Sequence, residues 1–296
     1  MDRYAVIGNP ISHSSSPAIH ARFAKQTEQD MRYEAIGVNA DVLAEEVARL
    51  HAENYLGLNV TLPHKQAIAS LCESVSDRAG RAGAVNTLIR TDSGWIGDNT
   101  DGAGLMADLQ RLQFEIKGQR VLILGAGGAV RGILAPLLAL EPAQLVVSNR
   151  NPWKPEKLAE DFADLGTLLP RTHLALKGDT YDVIINATSA GHCGAMPSIP
   201  GKVLAEGGKC YDLSYGKAHE PFLAWAKAQG AGQVSDGLGM LVQQAAIAFS
   251  LWRKVMPETT PVMESLQSQM QHHIRTVVVA EHESPHRSHV ELPPQD

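Results

Sequence analysis

Only three cysteines, Cys72, Cys193 and Cys210, occur in the 296 residues, an odd number at wide spacing. That suits neither a disulfide framework nor a paired-thiolate zinc site, so the thiols are expected to be reduced and structural. Runs of Lys or Arg are also missing, and 26 basic against 32 acidic side chains leave a formal charge of −6. Proteins that track nucleic-acid phosphates need clustered cations, so nucleic acid is not an expected partner. Nor is there a long unbroken apolar run. The nearest approach, Val121 to Leu140, is interrupted by Gly125, Gly127, Gly128, Arg131, Gly132 and Pro136, and a strand, turn and helix explain it better than a membrane span. The N-terminal MDRYAVIGNP lacks the basic and long apolar regions of a signal peptide, and a cytoplasmic location is expected.

What is present is an ordinary globular composition, 44% apolar and 20% charged, in a chain long enough for one large core or two smaller ones. Short apolar runs alternate with amphipathic segments over the first hundred residues. Strands are expected at Tyr4 to Gly8, Tyr33 to Val38, Gly57 to Thr61, Val85 to Arg90 and Trp95 to Gly97, and helices at Ala18 to Gln26, Val42 to His51 and Gln66 to Cys72. From Gly102 the pattern strengthens. A helix, Leu105 to Phe114, leads to strand Val121 to Leu124, a Gly-rich turn, a second helix and strand Leu145 to Ser148, with further strands at Val183 to Asn186 and Cys210 to Leu213. Near-continuous apolar strands predict a parallel sheet covered on both faces, in an α/β fold. Two helices, Leu238 to Val255 and Val262 to Ile274, precede a polar tail from Arg275 to Asp296.

The segment Val121-Leu122-Ile123-Leu124-Gly125-Ala126-Gly127-Gly128-Ala129 puts glycines where a buried strand turns into a helix. A pyrophosphate needs such a place, because the backbone can approach closely and the helix N-terminus offers free N–H groups and a partial positive charge. The G-x-G-x-x-G spacing is incomplete, since Val130 holds the third position, and a plain tight turn is the alternative. The second strand adds information. A carboxylate roughly 20 residues after the glycines selects NAD, whereas an Arg favours NADP. Here Ser148-Asn149-Arg150-Asn151 is followed by Lys154, with no acid until Glu156. NADP is therefore expected, against the simpler reading of Arg150 and Lys154 as a solvated helix start.

Three earlier segments carry polar groups that a core or simple loop does not need. In Gly8-Asn9-Pro10-Ile11-Ser12-His13-Ser14-Ser15-Ser16-Pro17, Ser16 as N-cap with Pro17 at the first helical position explains the Ser-Pro pair but not Ser14. Asn59-Val60-Thr61-Leu62-Pro63-His64-Lys65 places Asn59 and Thr61 on one side of a strand. The third segment runs Gly83-Ala84-Val85-Asn86-Thr87 and then Gly97-Asp98-Asn99-Thr100-Asp101-Gly102, where an Asp at a helix start is more often a cap or dipole partner than a catalyst.

In this order, ahead of Gly-Ala-Gly-Gly-Ala and followed by Asn186-Ala187-Thr188-Ser189, Asp212-Leu213-Ser214-Tyr215 and Asp236-Gly237-Leu238-Gly239-Met240-Leu241-Val242-Gln243-Gln244-Ala245, the motifs resemble the shikimate dehydrogenase family. The resemblance covers nearly the whole chain. It implies two α/β domains with a deep cleft: a substrate domain over 1–101, a Rossmann-like NADP domain over 102–237, C-terminal helices over 238–274 returning to the first domain, and a flexible tail over 275–296. It further implies that Lys65 and Asp101 form the catalytic pair and that Ser14, Ser16, Asn59, Thr61, Asn86, Tyr215 and Gln244 contact the substrate. On the cofactor it implies Gly125, Ala126, Gly127, Gly128 and Ala129 at the pyrophosphate, Asn149, Arg150 and Lys154 at the adenosine phosphate, and Thr188, Gly237 and Met240 also in contact. Two positions depart from the family pattern: Ser15 stands where Lys is common, and Asn151 where Thr is common.

The chemistry agrees with the resemblance. Shikimate carries a carboxylate and three hydroxyls; Ser14, Ser16 and Tyr215 suit the former, and Asn59, Asn86, Gln244 and Asp101 the latter. In reduction of 3-dehydroshikimate hydride adds to the ring carbonyl carbon and its oxygen gains negative charge, which a Lys65 ammonium can stabilise and protonate while Asp101 fixes the geometry. A relative with dual quinate and shikimate activity using NAD is the near alternative, and a non-catalytic NADP-sensing or scaffold protein the distant one; retention of Lys65 and Asp101 counts against the latter. The 12 His include five in the terminal stretch without accompanying metal-ligand geometry, and no metal is expected. The expected partner is a small molecule, bound by a monomer or homodimer with no membrane association.

Overall fold

The computed structural model describes residues 1–269, and those residues build two six-stranded sheets. β1 (Asp2–Gly8), α1 (Ser16–Gln26), β2 (Met31–Gly37), α2 (Leu43–Ala52) and β3 (Tyr55–Val60) form a parallel core in which β1 lies between β2 and β3. The edge strand β4 (Ser74–Val75), the short helix α3 (Asp77–Ala82) and the antiparallel strands β5 (Thr87–Arg90) and β6 (Trp95–Asp98) complete the order β2-β1-β3-β5-β6-β4. Alternation divides the faces. Ala5, Ile7, Leu58 and Val60 pack with Leu43, Val47 and Leu50 of α2. The other face is covered by Ile19 and Phe23 of α1 together with the C-terminal helices. Full burial of each of these Ile, Leu, Val and Phe side chains contributes roughly 1.5–3 kcal/mol.

α4 (Asp101–Arg111) leads into the second sheet, built from β7 (Arg120–Leu124), α5 (Gly128–Ala139), β8 (Gln144–Asn149), α6 (Trp153–Asp161), β9 (Leu168–Thr172), β10 (Tyr181–Asn186), β11 (Leu204–Asp212), α7 (Glu220–Ala228) and β12 (Gln233–Ser235). Its order is β12-β11-β10-β7-β8-β9 and every pairing is parallel. This is the doubly wound arrangement, whose strand order reverses between β7 and β10 and leaves a crevice at their C-terminal ends.

α8 (Leu238–Arg253) then returns to the first sheet. Its Met240 belongs to the core of the second sheet, while Val242, Ala245 and Phe249 pack with α1. α8 crosses α4 closely, since a Cβ on Gly104 would lie 2.7 Å from that of Gln244. A second bridge joins the sheets: Arg131 of α5 donates to Ala82 O at 2.6 Å and to Asp161 at 2.9 Å. Arg81 of α3 bonds Asp161 O and Asp164. Both guanidinium groups lie over the Phe162 ring.

Several expectations change. Gln66 to Cys72 is not an α-helix but a 3-10 turn over Ala67–Leu71, because only Ile68 is buried and no apolar stripe is available to hold a longer helix. The helix expected at Leu105 to Phe114 begins earlier, at Asp101, and stops before Gln113, which has φ 55°. Ser16 is not the N-cap of α1; Ser15 holds that position without a side-chain cap bond, and Pro17 is the second helical residue. All three cysteines are free, yet Cys193 is exposed and only Cys210 is a core thiol. Helix continues from 260 to 269; the rest of the helix expected to reach Ile274, and the tail, lie outside the described residues. Among the described residues no helix is long and apolar enough to cross a membrane.

Candidate active site

The order β3-β5-β6 sets three chain ends side by side. Val60 N donates to Asn86 O at 2.8 Å, Val85 N to Lys65 O at 2.7 Å, and Asn86 N to Asp98 O at 3.0 Å. On the ledge so formed, Lys65 Nζ donates to Asp101 Oδ2 at 2.6 Å. The lysine side chain is 15% exposed and the aspartate 6%, a desolvated pair with one open side. Asn86 Nδ2 donates to Asp101 Oδ1 and Thr100 Oγ1, each at 2.9 Å, and lies 3.2 Å from Gln244 Oε1. Thr100, not Asp101, occupies the N-cap position of α4, so the carboxylate is free of capping and turns to Lys65. Upstream, burial pushes Asp98 up, but Arg78 through two N–H bonds, with Ser76 and Asn99 N, outweighs it and holds Asp98 below the usual carboxylate range. That anchor fixes the backbone entering Asp101.

Ser14, Ser16 and Tyr215 meet at the start of α1. Ser14 Oγ accepts from Ser16 N at 3.3 Å and Tyr215 Oη from Ser15 N at 3.4 Å. The hydroxyl left unexplained by the cap reading is thus the one that bonds the helix start. α1 has no acid in its first turn, so its dipole and three hydroxyl groups favour a carboxylate there. Between this end and the Lys65–Asp101 pair lies Asn59, 6% exposed, whose Nδ2 donates to Asn86 O and Thr87 Oγ1, both at 3.2 Å. Thr61 is half-buried and its backbone N bonds Ile7 O at 3.0 Å.

The glycine turn faces this site from the second sheet. Gly125 has φ 109°, a conformation side chains avoid, and a Cβ there would come within 2.8 Å of Ala187 O. Gly127 is the N-cap of α5, with Gly128 and Ala129 opening the helix and Ala126 half-buried beside the core. No acid occurs in the first turn of α5, and open space lies before Gly127. These features fit a pyrophosphate. At the end of β8, Arg150 and Lys154 are exposed, Lys154 over the Trp153 ring, and Asn149 Nδ2 donates to Asn151 O at 3.3 Å. Burial, with the Arg150 charge, lowers the pKa of His173, whose Nδ1 is 2.7 Å from Ser148 Oγ. Among the described residues neither Arg150 nor Lys154 is ion-paired, although Glu156 lies in the first turn of α6, and the two cations fit a phosphate on the adenosine. Thr188 N and Oγ1 both donate to Asn186 Oδ1, and Asn186 Nδ2 to the buried Asp212, whose carboxyl is pushed up by burial. Gly237 is the N-cap of α8 and Met240 is buried two residues into the helix.

Sequence reasoning did not single out Thr87, Thr100, Tyr33 or His20. Thr87 and Thr100 stood inside quoted motifs, but alternation sends the adjacent Asn86 and Thr87 to opposite faces, and only the pairing of Asn59 with Thr87 puts Thr87 beside the site. Tyr33 and His20 entered only as members of the expected strand Tyr33 to Val38 and the expected helix Ala18 to Gln26.

Fold and cleft together define the class: a two-domain α/β protein with a Rossmann-type nucleotide-binding sheet and a polar site at the domain junction. Comparison with known proteins narrows this. Residues 6–88 match the shikimate dehydrogenase substrate binding domain, 108–194 the shikimate / quinate 5-dehydrogenase family, and 237–267 the shikimate 5'-dehydrogenase C-terminal domain. A shikimate dehydrogenase (NADP(+)) of Thioalkalivibrio sulfidiphilus is 52% identical over 269 residues, 90% of this chain and 98% of the relative. Among solved structures, an Ael1 enzyme from Pseudomonas putida superposes with a TM-score of 0.80 at 41% identity, covering 90% of this chain and 98% of that one. The shikimate 5-dehydrogenase of Thermus thermophilus, in complex with NADP(H) and shikimate, gives 0.79 at 32%, covering 90% and 99%. The chain belongs to the shikimate dehydrogenase family.

Proposed function

We propose that the protein reversibly reduces 3-dehydroshikimate to shikimate with NADPH, in aromatic amino-acid biosynthesis in the cytoplasm, with Lys65 and Asp101 as the catalytic residues. The observation that carries this is the Lys65 Nζ–Asp101 Oδ2 contact of 2.6 Å at the domain junction. Bound NADPH supplies the hydride. The chain's own residues do the rest. Ser14, Ser16 and Tyr215 at the start of α1 take the carboxylate and so orient the ring. Asn59, Thr61, Asn86 and Gln244 bind its hydroxyls. Lys65 Nζ then donates to the developing alkoxide, where an ammonium in a site screened from water stabilises the charge strongly. Asp101 holds Lys65 in line, and in the reverse direction Lys65 Nζ takes up the hydroxyl proton. Gly125 to Ala129 hold the pyrophosphate, Asn149, Arg150 and Lys154 the adenosine phosphate, and Thr188, Gly237 and Met240 line the nicotinamide end.

Residues 1–101 serve the substrate, 102–237 the nucleotide, and the helices from 238 tie the two together. The test is spectrophotometric: shikimate with NADP or NAD, followed by the absorbance of the reduced nicotinamide. Turnover with NADP well above that with NAD supports the proposal; no turnover with shikimate, or a preference for NAD, contradicts it.

A further inference from the structure

The ledge holding the catalytic pair continues away from the cleft as a directed chain of hydrogen bonds, and the residue at its head is Tyr33 of β2. Tyr33 Oη donates to Asn59 Oδ1 at 2.7 Å. Asn59 Nδ2 donates to Thr87 Oγ1 at 3.2 Å, and Thr87 Oγ1 donates to Asn86 Oδ1 at 2.8 Å. Asn86 Nδ2 donates onward to Asp101 Oδ1 at 2.9 Å. The direction is forced at each link. Asn59 Nδ2 also faces Asn86 O, a pure acceptor, so its amide cannot be reversed without loss. Thr87 has one proton, and Asn86 Oδ1 takes it together with the N–H of Thr100.

Tyr33 can head this chain only if it remains a neutral donor on a neutral support. Burial raises its phenol well above the ordinary value, with the Ser16 hydroxyl opposing part of the shift. Its ring stacks at 4.1 Å and 7° on His20, which is fully buried. Burial lowers His20 to about 3, Asn59 offsetting part of the effect, so the imidazole carries no charge. Neither His20 ring nitrogen makes a hydrogen bond of good geometry, although Asn59 interacts with the ring. Parallel pairing supplies the placement: Tyr4 stands opposite Tyr33 and Gly57, and Val6 opposite Asn59, so all five share the face covered by α1 and α8.

We infer that Tyr33 is a positioning residue for shikimate. It turns the Asn59 amide so that Oδ1 presents its remaining lone pair to a substrate hydroxyl, and through Thr87 it fixes Asn86 against Asp101. This rests on the function proposed above.

Tyr33→Phe keeps the ring stack and removes the head donor. One net hydrogen bond corresponds to roughly a 2- to 12-fold effect. The expected result is a shikimate KM raised by that factor, with kcat, the KM for NADP and the melting temperature little changed. In an Asn59→Ala background the same substitution should change kcat/KM less than 2-fold, because Tyr33 acts through Asn59. Thr87→Val, which cuts the next link without changing shape, should raise the shikimate KM likewise and serves if Tyr33→Phe does not fold. An unaltered shikimate KM in the single variants, or equal losses in both backgrounds, overturns the role of Tyr33 and leaves the proposed function standing. A wild-type protein inactive on shikimate overturns the proposed function, and this inference with it.

Discussion

Lys65 and Gly128 face each other across the domain junction: a Cβ on Gly128 would lie 3.8 Å from the Cβ of Lys65, an ordinary contact distance. The first turn of α5, suited to a pyrophosphate, therefore borders the lysine paired with Asp101. Nucleotide and small molecule would share one cleft, bordered at that point by Lys65 and Gln66. Substitutions on either wall should separate into nucleotide effects and chemistry effects.

On the nucleotide wall, Gly125→Ala combines a φ of 109° with a Cβ 2.8 Å from Ala187 O. Forcing a side chain into that conformation costs about 1–3 kcal/mol. The melting temperature should fall and the Kd for NADP should rise, both read on the same sample by calorimetry and titration. A variant with unchanged melting and NADP affinity would show that the turn relaxes freely.

Arg150→Ala separates the two nucleotides. A hydrogen bond to a charged group contributes roughly 1.5–3 kcal/mol, so NADP should weaken by about 10- to 150-fold and NAD hardly at all. Equal losses for both would make Arg150 structural. Because Arg150 lowers the His173 pKa, its removal should also move the His173 titration upward, visible by NMR.

How far the chain itself foretold this site depends on length and burial. The strands of both sheets that lie at their centres, such as β7 with four fully buried residues in five, were legible as apolar runs. Elements missed in the sequence are mostly short or half-exposed: β4 has two exposed residues, β12 three half-buried ones, β9 one buried residue in five and α3 six residues, and the nine-residue helices α6 and α7, each with only two buried residues, were missed as well. α3 did carry signals, a Ser76 N-cap bonded to Ala79 N and a left-handed Gly83 after it, but six residues give no periodicity to read. Lys65 and Asp101 are 36 positions apart, and sequence spacing cannot join them. Pairing of β5 with both β3 and β6 does so, through the Val85–Lys65 and Asn86–Asp98 backbone bonds. Tyr33 escaped notice because its stack on His20 crosses from β2 to α1, a contact with no sequence period.

Acid should expose the buried imidazole. Burial places native His20 at about 3, against about 6.5 in the unfolded chain. Below that value the unfolded state binds a proton that the native state refuses. The stability contribution is therefore full above pH 6.5 and lost progressively as pH falls toward 3, at about 1.4 kcal/mol per pH unit. His173, also lowered, adds in the same direction. Urea unfolding at pH 7, 6, 5 and 4.5 should show a shallower decline for His20→Phe than for the wild type; parallel declines would place the acid sensitivity elsewhere.

The role of Lys65 is tested most directly by single-turnover and steady-state kinetics of Lys65→Ala with shikimate and NADP. Loss of a proton donor that also stabilises the oxyanion should lower kcat by about 10²- to 10⁴-fold, while the Kd for NADP stays close to wild type. A variant that keeps most of its kcat would contradict the assignment of Lys65 and Asp101 as the catalytic pair.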